Sequence, residues 1–282
     1  MMRIVLINVC YMELAMSRIK FIRSFKFLTT VGLACLAFPA TAFQPLITDD
    51  TGTQGSAGNQ LEFSFNQEHA KTTDETVRSY SLPVGYTRGI TDSIDLFAGY
   101  TQTRIRSSTP GGDASGSSNP NIGAKWRFYE NEDNKTSLAL KPEILLPISA
   151  DREESGLGAG KTSGKLTLIL TQEVPFGAIH INAGIGRERF RDTENNPDTT
   201  TVQASIAPVW DFSDQWKLAL DMGVEQGRAN SNRVRTSFIE FGAIYSPSKD
   251  LDLAVGMVRL SDNDSPHTTT YAGTAGITWR FQ

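Results

Sequence analysis

The stretch Tyr271-Ala-Gly-Thr-Ala-Gly-Ile-Thr-Trp-Arg-Phe281, followed only by Gln282, decides the class of fold. Apolar side chains occupy alternate positions, and small or polar residues lie between most of them. Period-two alternation is typical of a strand with one apolar and one polar face, although a soluble sheet can also have it. Aromatic residues near both ends of the apolar face, in a strand at the C-terminus, favour a bacterial outer-membrane β-barrel.

Similar alternation recurs along the chain from residue 60 to the end. The earlier segments are Gln60–Glu68, Ser79–Thr87, Ser93–Thr103, Asn121–Tyr129, Ser137–Ile148, Lys165–Glu173, Ala178–Glu188, Thr201–Trp210, Trp216–Gln226, Arg235–Tyr245 and Leu251–Arg259. With the closing strand they predict an all-β fold over residues 60–282. We expect a transmembrane up-and-down antiparallel β-barrel of about 12 strands.

The connections between these segments alternate in length. The longer, polar ones are Gln67–Arg78, Arg104–Pro120, Ala150–Gly164, Arg189–Thr200, Gly227–Val234 and Leu260–Thr269, and short links separate them. An up-and-down barrel has long extracellular loops, short periplasmic turns and, with an even strand count, both termini on one side. The alternation therefore predicts periplasmic termini, with residues 43–59 as a periplasmic segment, whereas a soluble sandwich gives no reason for it.

Two residue types refine this prediction. Pro83, Pro142 and Pro208 fall inside predicted strands, where proline removes a ladder donor, so we expect bulges or local breaks there. Aromatic residues cluster near strand ends, which predicts a girdle at the level of the lipid headgroups. Ordinary core aromatics at strand ends are the alternative. The girdle candidates are Tyr86, Tyr100, Trp126, Phe128, Trp210, Trp216, Tyr245, Trp279 and Phe281.

The first 42 residues have the features of a secretory signal peptide. A basic region precedes the apolar run 27–38, which is too short for a spanning helix, and Ala40-Thr41-Ala42 fits a cleavage site before Phe43. Met16 is the expected true start. Cys35 leaves a lipoprotein alternative open, although the residues before it match a lipobox poorly.

Composition excludes several classes of function for the processed chain. Both cysteines, Cys10 and Cys35, lie in the segment expected to be removed, so we expect the processed chain to have no disulfide and no thiolate nucleophile. Of 27 basic and 31 acidic residues, 5 and 1 fall in residues 1–42, which leaves a net charge of −8. An acidic chain without a basic stripe is not expected to bind nucleic acid.

Three stretches resemble a bacterial family named for the meta-pathway of phenol degradation, whose members are often called transporters. They are Gln44-Pro-Leu-Ile-Thr-Asp-Asp-Thr-Gly-Thr-Gln-Gly55, the hairpin segment Leu82–Leu96 and the segment Asn119–Phe128, where Ser118-Asn119 replaces the family's usual Gly-Asp. The resemblance implies an outer-membrane barrel that passes small molecules, with aromatic or hydrophobic ones as candidates. It implies no catalytic residues and no cofactor.

The polar and charged residues of the strands favour a polar lumen over a catalytic site. His180 faces inward on its predicted strand, where a hydrogen-bonded polar role is favoured over an enzymatic one. Asp49-Asp50 could bind a cation, but a periplasmic turn or a short plug contact is the preferred interpretation. The charged residues predicted to line the lumen are Glu62, Lys125, Arg127, Lys141, Glu143, Asp221, Glu225, Glu240 and Arg280.

The inward charges allow two interpretations. They pair into a network that fills a narrow barrel, or some of them line a pore and set solute preference. The leading functional hypothesis is an outer-membrane channel for passive uptake of small molecules. The alternative is a structural, receptor-like or adhesive barrel that acts through its loops. The expected partners are outer-membrane lipid, a small solute and the barrel-insertion machinery, which reads a C-terminal aromatic such as Phe281.

Overall fold

The structure is a computed structural model that describes residues 44–72, 75–194, 196–230, 232–264 and 267–282. The predicted signal peptide, both cysteines and the cleavage site between Ala42 and Phe43 lie outside the described residues. Within these ranges, no helix is long and apolar enough to cross a membrane.

Most of the described chain is antiparallel β-structure. The strands are β1 (Asn59–Lys71), β2 (Thr76–Thr91), β3 (Ile94–Ser107), β4 (Ala114–Ser117), β5 (Asn121–Asn131), β6 (Thr136–Leu145), β7 (Lys161–Val174), β8 (Gly177–Arg189), β9 (Thr199–Asp211), β10 (Trp216–Ala229), β11 (Asn232–Ser248), β12 (Leu251–Asp262) and β13 (Thr269–Phe281). One short helix, α1 (Ala150–Glu154), lies between β6 and β7.

Twelve of these strands form a closed barrel, which confirms the predicted fold class. Each long strand pairs with its neighbours in sequence, and β3 pairs with β2 and β5. The closing strand β13 pairs with β1 over its whole length, from Asn59 opposite Phe281 to Lys71 opposite Thr269. Strand β4 is an addition to the wall, because it pairs only with the second half of β3.

The links differ in part from the predicted alternation. Four remain long, at residues 108–120, 146–160, 190–198 and 263–268, and we call their side of the barrel the long-link end. The predicted long links at 67–78 and 227–234 are wrong, because pairing continues until only residues 72–75 and 230–231 connect the strands. Backbone pairing does not require apolar side chains, so strands continue beyond the apolar segments that identify them.

The three strand prolines interrupt the ladder on one side only, without shifting its register. The interruptions lie between β1 and β2, between β5 and β6, and between β9 and β10. On the other side each proline keeps its partner: Pro83 opposite Thr101, Pro142 opposite Leu166 and Pro208 opposite Ile179. A missing N–H explains these breaks. Bulges at the prolines are not found, since the register shifts lie elsewhere.

The outer surface is apolar, as a lipid-facing surface must be. Outward-pointing side chains such as Val255, Met257 and Phe241 are more than half exposed. Aromatic rings pair around the opposite, short-link end: Trp126 with Phe128, Phe176 with Trp210, Trp216 with Tyr245, and Trp279 with Phe281, with ring centroids 4.7–5.7 Å apart. This arrangement is the aromatic girdle predicted from the strand ends.

Candidate functional site in the barrel lumen

The inner wall carries the charged residues that the sequence predicted for the lumen. Glu62, Lys141, Glu143, Asp221 and Glu240 are buried, and Lys125, Arg127, Glu225 and Arg280 are partly buried. All nine lie on the inward face of their strands. The structure groups them at different levels, so they do not form one site: Arg280, for example, pairs with Asp252 at the short-link end.

Residues 44–54 fill part of this lumen, and we call them the plug segment. The sequence placed residues 43–59 outside the barrel, but the chain before β1 turns inward and six residues of the plug segment are buried: Pro45, Leu46, Ile47, Thr48, Asp49 and Thr51. The polar lumen supplies hydrogen-bond partners that a segment without secondary structure needs in a buried position. Of the two interpretations of Asp49-Asp50, the plug contact is confirmed.

Asp49 is the most strongly bound residue of the plug segment. Its Oδ1 lies 3.0 Å from Lys125 Nζ and its Oδ2 lies 2.7 Å from Lys141 Nζ. The Asn182 amide, oriented to suit both partners, accepts from the Asp49 N–H at 2.7 Å and donates to the Asp49 carbonyl at 2.9 Å. Three separate strands therefore hold one residue, and each oxygen of its carboxylate contacts a lysine ammonium group. No cluster of three metal-ligating residues exists among the described residues.

Thr48 fixes the plug segment to the opposite wall. Its backbone N–H and its hydroxyl donate to the two Asp221 carboxylate oxygens at 2.7 and 2.6 Å, and the hydroxyl also lies 2.7 Å from Ser205 Oγ. Asp221 stands directly opposite Glu240 in the pairing of β10 with β11. Because two adjacent buried carboxylates repel each other unless donors approach them, the Thr48 donors stabilise this part of the wall.

Apolar contacts complete the fit of the plug segment. Leu46 packs on Ala207, Val209 and Ala219, and Ile47 packs on Val258, Leu260 and Ala272. Two inward positions beside Pro45 are the glycines Gly242 and Gly256. A Cβ at either one would come within 3.0 Å of the proline ring, which explains why the strands carry glycine there.

The segment enters the lumen at the short-link end. The Gln54 N–H donates to both oxygens of Asp95, at 3.1 and 3.0 Å, and the Ser56 N–H donates to Asp92 at 3.0 Å. Closer to the interior, the Thr51 hydroxyl lies 2.5 Å from Ser137 Oγ, and its N–H donates to Thr171 Oγ1 at 3.1 Å. Thr171 also contacts His180 Nδ1 at 3.0 Å. The predicted hydrogen-bonded role of His180 in the lumen is therefore confirmed.

A cavity remains beyond the plug segment, toward the long-link end. Its lining includes Glu68, Ser79, Thr236, Asp262 and Thr270. Across the lumen, Lys165 lies among carboxylates of neighbouring strands, with Glu143 directly opposite it in the pairing of β6 with β7. Above the plug segment the lumen is thus lined by polar residues and also by the apolar Ala70, Val77 and Leu260, and at the level of the segment it is occupied.

The charge of Asp49 makes the position of the plug segment dependent on pH. Burial alone would raise the pKa of Asp49, but the positive charges of Lys125 and Lys141 outweigh it and hold the pKa below the usual value of 3.8. The ionised Asp49 carboxylate stabilises the bound plug segment at any pH above the ordinary pKa of an aspartate. This stabilisation is lost as the pH falls through the lowered pKa of Asp49.

We expect residues 44–54 to stay protected from hydrogen exchange between neutral pH and about pH 4, and to lose this protection at lower pH. Exchange rates corrected for intrinsic pH dependence, measured by mass spectrometry, test this; release between pH 7 and 5 would contradict it.

Over residues 48–281 the sequence matches the family described as "Putative MetA-pathway of phenol degradation". The chain belongs to this family. The match confirms the resemblance inferred from three stretches of the sequence, and the first of them, Gln44–Gly55, contains the buried residues of the plug segment. No curated protein matches the chain.

Solved structures of outer-membrane proteins share the fold. The COG4313 outer membrane channel from Pseudomonas putida F1 is similar, with a TM-score of 0.67 and 13% identity, over 82% of this chain and 98% of that one. The translocator domain of the autotransporter NalP from Neisseria meningitidis has a TM-score of 0.55 and 13% identity, over 80% and 90%. The transport unit of the autotransporter AIDA-I from Escherichia coli has a TM-score of 0.52 and 10% identity, over 90% and 97%. At these identities the likeness establishes the outer-membrane β-barrel fold alone.

Proposed function

We propose that this protein is an outer-membrane channel for passive uptake of small molecules, with the long-link end outside the cell. The observation that carries the proposal is the polar inner wall, in which charged and hydroxyl side chains face an enclosed lumen. Rings of charge inside a barrel set the preference for ions and solutes. A barrel with a purely structural role could be filled by apolar side chains, as small barrels often are.

The plug segment limits passage in the conformation described above. It contacts wall residues of β3, β5, β6, β7, β8, β9 and β10 through hydrogen bonds or ion pairs. All of these bonds join the plug segment to the wall and none joins one strand to another, so the barrel can keep its strand pairing when the segment leaves. We therefore infer that residues 44–54 close the channel and that their displacement opens it.

Conductance of the purified protein in planar bilayers tests the proposal. The full chain should conduct in rare, short openings, and a variant lacking residues 44–54 should conduct continuously. Heat-modifiable migration on a gel checks that both proteins form the barrel. A folded deletion variant that passes neither ions nor small neutral solutes would rule out the channel and favour a barrel that acts through its loops. Small aromatic molecules are the first solutes to compare, since the family description refers to phenol degradation.

A further inference from the structure

The wall of the lumen holds the Asp49 carboxylate as a binding site holds a ligand. Lys125 on β5 and Lys141 on β6 each contact a different oxygen, at 3.0 and 2.7 Å. Lys141 is buried, and its ammonium group lies 5.0 Å from the centre of the Phe97 ring, a contact that favours a fixed position for the charge. Both lysines belong to the barrel, so the site exists independently of the plug segment.

We propose that this pair of lysines is a binding site for the carboxylate group of a small solute. Asp49 occupies the site while the channel is closed, and the carboxylate of the solute exchanges with it and favours the displaced plug segment. The inference rests on the channel function proposed above and specifies its solute class, small monocarboxylates. A ligand shifts the equilibrium between the closed and open states only by binding one of them more tightly. Here the solute binds the open state, because the two lysines are accessible only after Asp49 has left them.

The contacts of Lys125 explain why an exchange is needed. Withdrawal of residues 49–52 removes the Asp49 carboxylate at 3.0 Å and the more distant Asp50 carboxylate at 3.9 Å from this lysine. It also removes two carbonyl acceptors, of Asp50 at 3.1 Å and of Gly52 at 3.3 Å. A buried ammonium group that loses its acceptors is strongly destabilised. A solute that supplies new oxygen acceptors removes this cost.

The surrounding charges select the class of anion. Glu62 and Asp95 of the barrel wall also act on these lysines electrostatically and stay in place when the plug segment moves. Exchange of the Asp49 carboxylate for another one keeps the negative charge that contacts both lysines, since Asp50 reaches only Lys125, at 3.9 Å, and is partly exposed, whereas a neutral solute brings no charge to this position. A singly charged carboxylate fits both the geometry and the charge.

Labelling of a thiol in the plug segment tests the proposal without relying on transport. The Thr51→Cys variant, in a Cys10→Ala and Cys35→Ala background, places a unique thiol at a buried position of the segment. At neutral pH, benzoate should accelerate maleimide labelling about tenfold, within the usual range for coupled sites, and its neutral isostere benzamide should not. The acceleration should disappear in the Lys141→Met variant. It should persist in the control variant Lys217→Met, because Lys217 pairs with Asp211 at the strand end, away from the proposed site.

The outcomes separate this proposal from the channel function. Equal labelling with and without benzoate, or an equal effect of benzamide, overturns the carboxylate site even when Asp49→Ala opens the channel. Acceleration by benzoate that persists in Lys141→Met also overturns it. A folded barrel that responds to benzoate in labelling but never conducts supports the binding site and overturns the channel.

Discussion

Replacement of Asp49 by alanine is expected to raise the open fraction of the channel about 100-fold. The substitution removes the only carboxylate that both Lys125 and Lys141 contact within 4.0 Å among the ion pairs of the described residues. Breaking a buried ion pair by removing one partner costs about 3 kcal/mol or more, which corresponds to roughly 100-fold in an equilibrium. The cost falls on the closed state, because only there is Asp49 in the site. Single-channel recordings give the open fraction directly.

Asp50→Ala is the matched control for this prediction. The neighbouring carboxylate lies 3.9 Å from Lys125 and is partly exposed, and it accepts a bond from Gly52 of its own segment at 2.5 Å. Exposed or distant ion pairs contribute about 1 kcal/mol at most, so the open fraction should change less than tenfold. Equal effects of the two substitutions would contradict the assignment of Asp49 as the residue that holds the plug segment.

The barrel itself was predictable because its physical cause repeats along the sequence. Side chains that face lipid must be apolar and side chains that face the lumen are polar, so every strand carries the same period-two pattern. Leu253, Val255 and Met257 point outward and Asp252, Ala254 and Gly256 inward, as the alternation requires. The ends of the strands were less predictable, since polar residues beyond the apolar belt also pair.

The plug segment could be predicted only in part, because its cause lies in distant contacts. Asp49 reaches lysines 76 and 92 positions away, and Thr48 reaches a carboxylate 173 positions away. No local pattern encodes such partners. One signal was present in the strands: Gly242 and Gly256 take inward positions beside Pro45, where a side chain would occupy the space of the segment. Inward glycines at one level of a barrel indicate that something else fills it.

The lumen charges also have a different meaning in the structure than in the sequence. Nine inward charges suggested either a wall-to-wall network or a pore lining. Lys125 and Lys141 instead bind the chain's own N-terminal segment, and Asp221 accepts from the same segment. Alternation assigns a residue to the inner face but does not give its height or its partner, because both depend on the tilt and stagger of the strands.

Replacement of Val255 by arginine is expected to destabilise the barrel in a bilayer by about 2–4 kcal/mol, the cost measured for cations at the bilayer midplane. Val255 lies near the middle of β12, opposite Ala243 on one side and Ala275 on the other, and the residue is 57% exposed, on the outer face. An arginine there must enter hydrocarbon or bend toward the headgroups. Urea unfolding in lipid vesicles, followed by tryptophan fluorescence, measures the free energy of unfolding.

The matched control is Ser248→Arg at the end of β11, next to the aromatic girdle of the short-link end. Ser248 is exposed and the following residues, Lys249 and Asp250, are already charged. A cation at the interface costs about 0–1 kcal/mol, so the two variants should differ by at least about 1 kcal/mol, although both add the same side chain to a barrel strand. Equal destabilisation of the two variants would mean that the apolar belt around Val255 does not face lipid. That result would overturn the assignment of these strands as membrane-spanning.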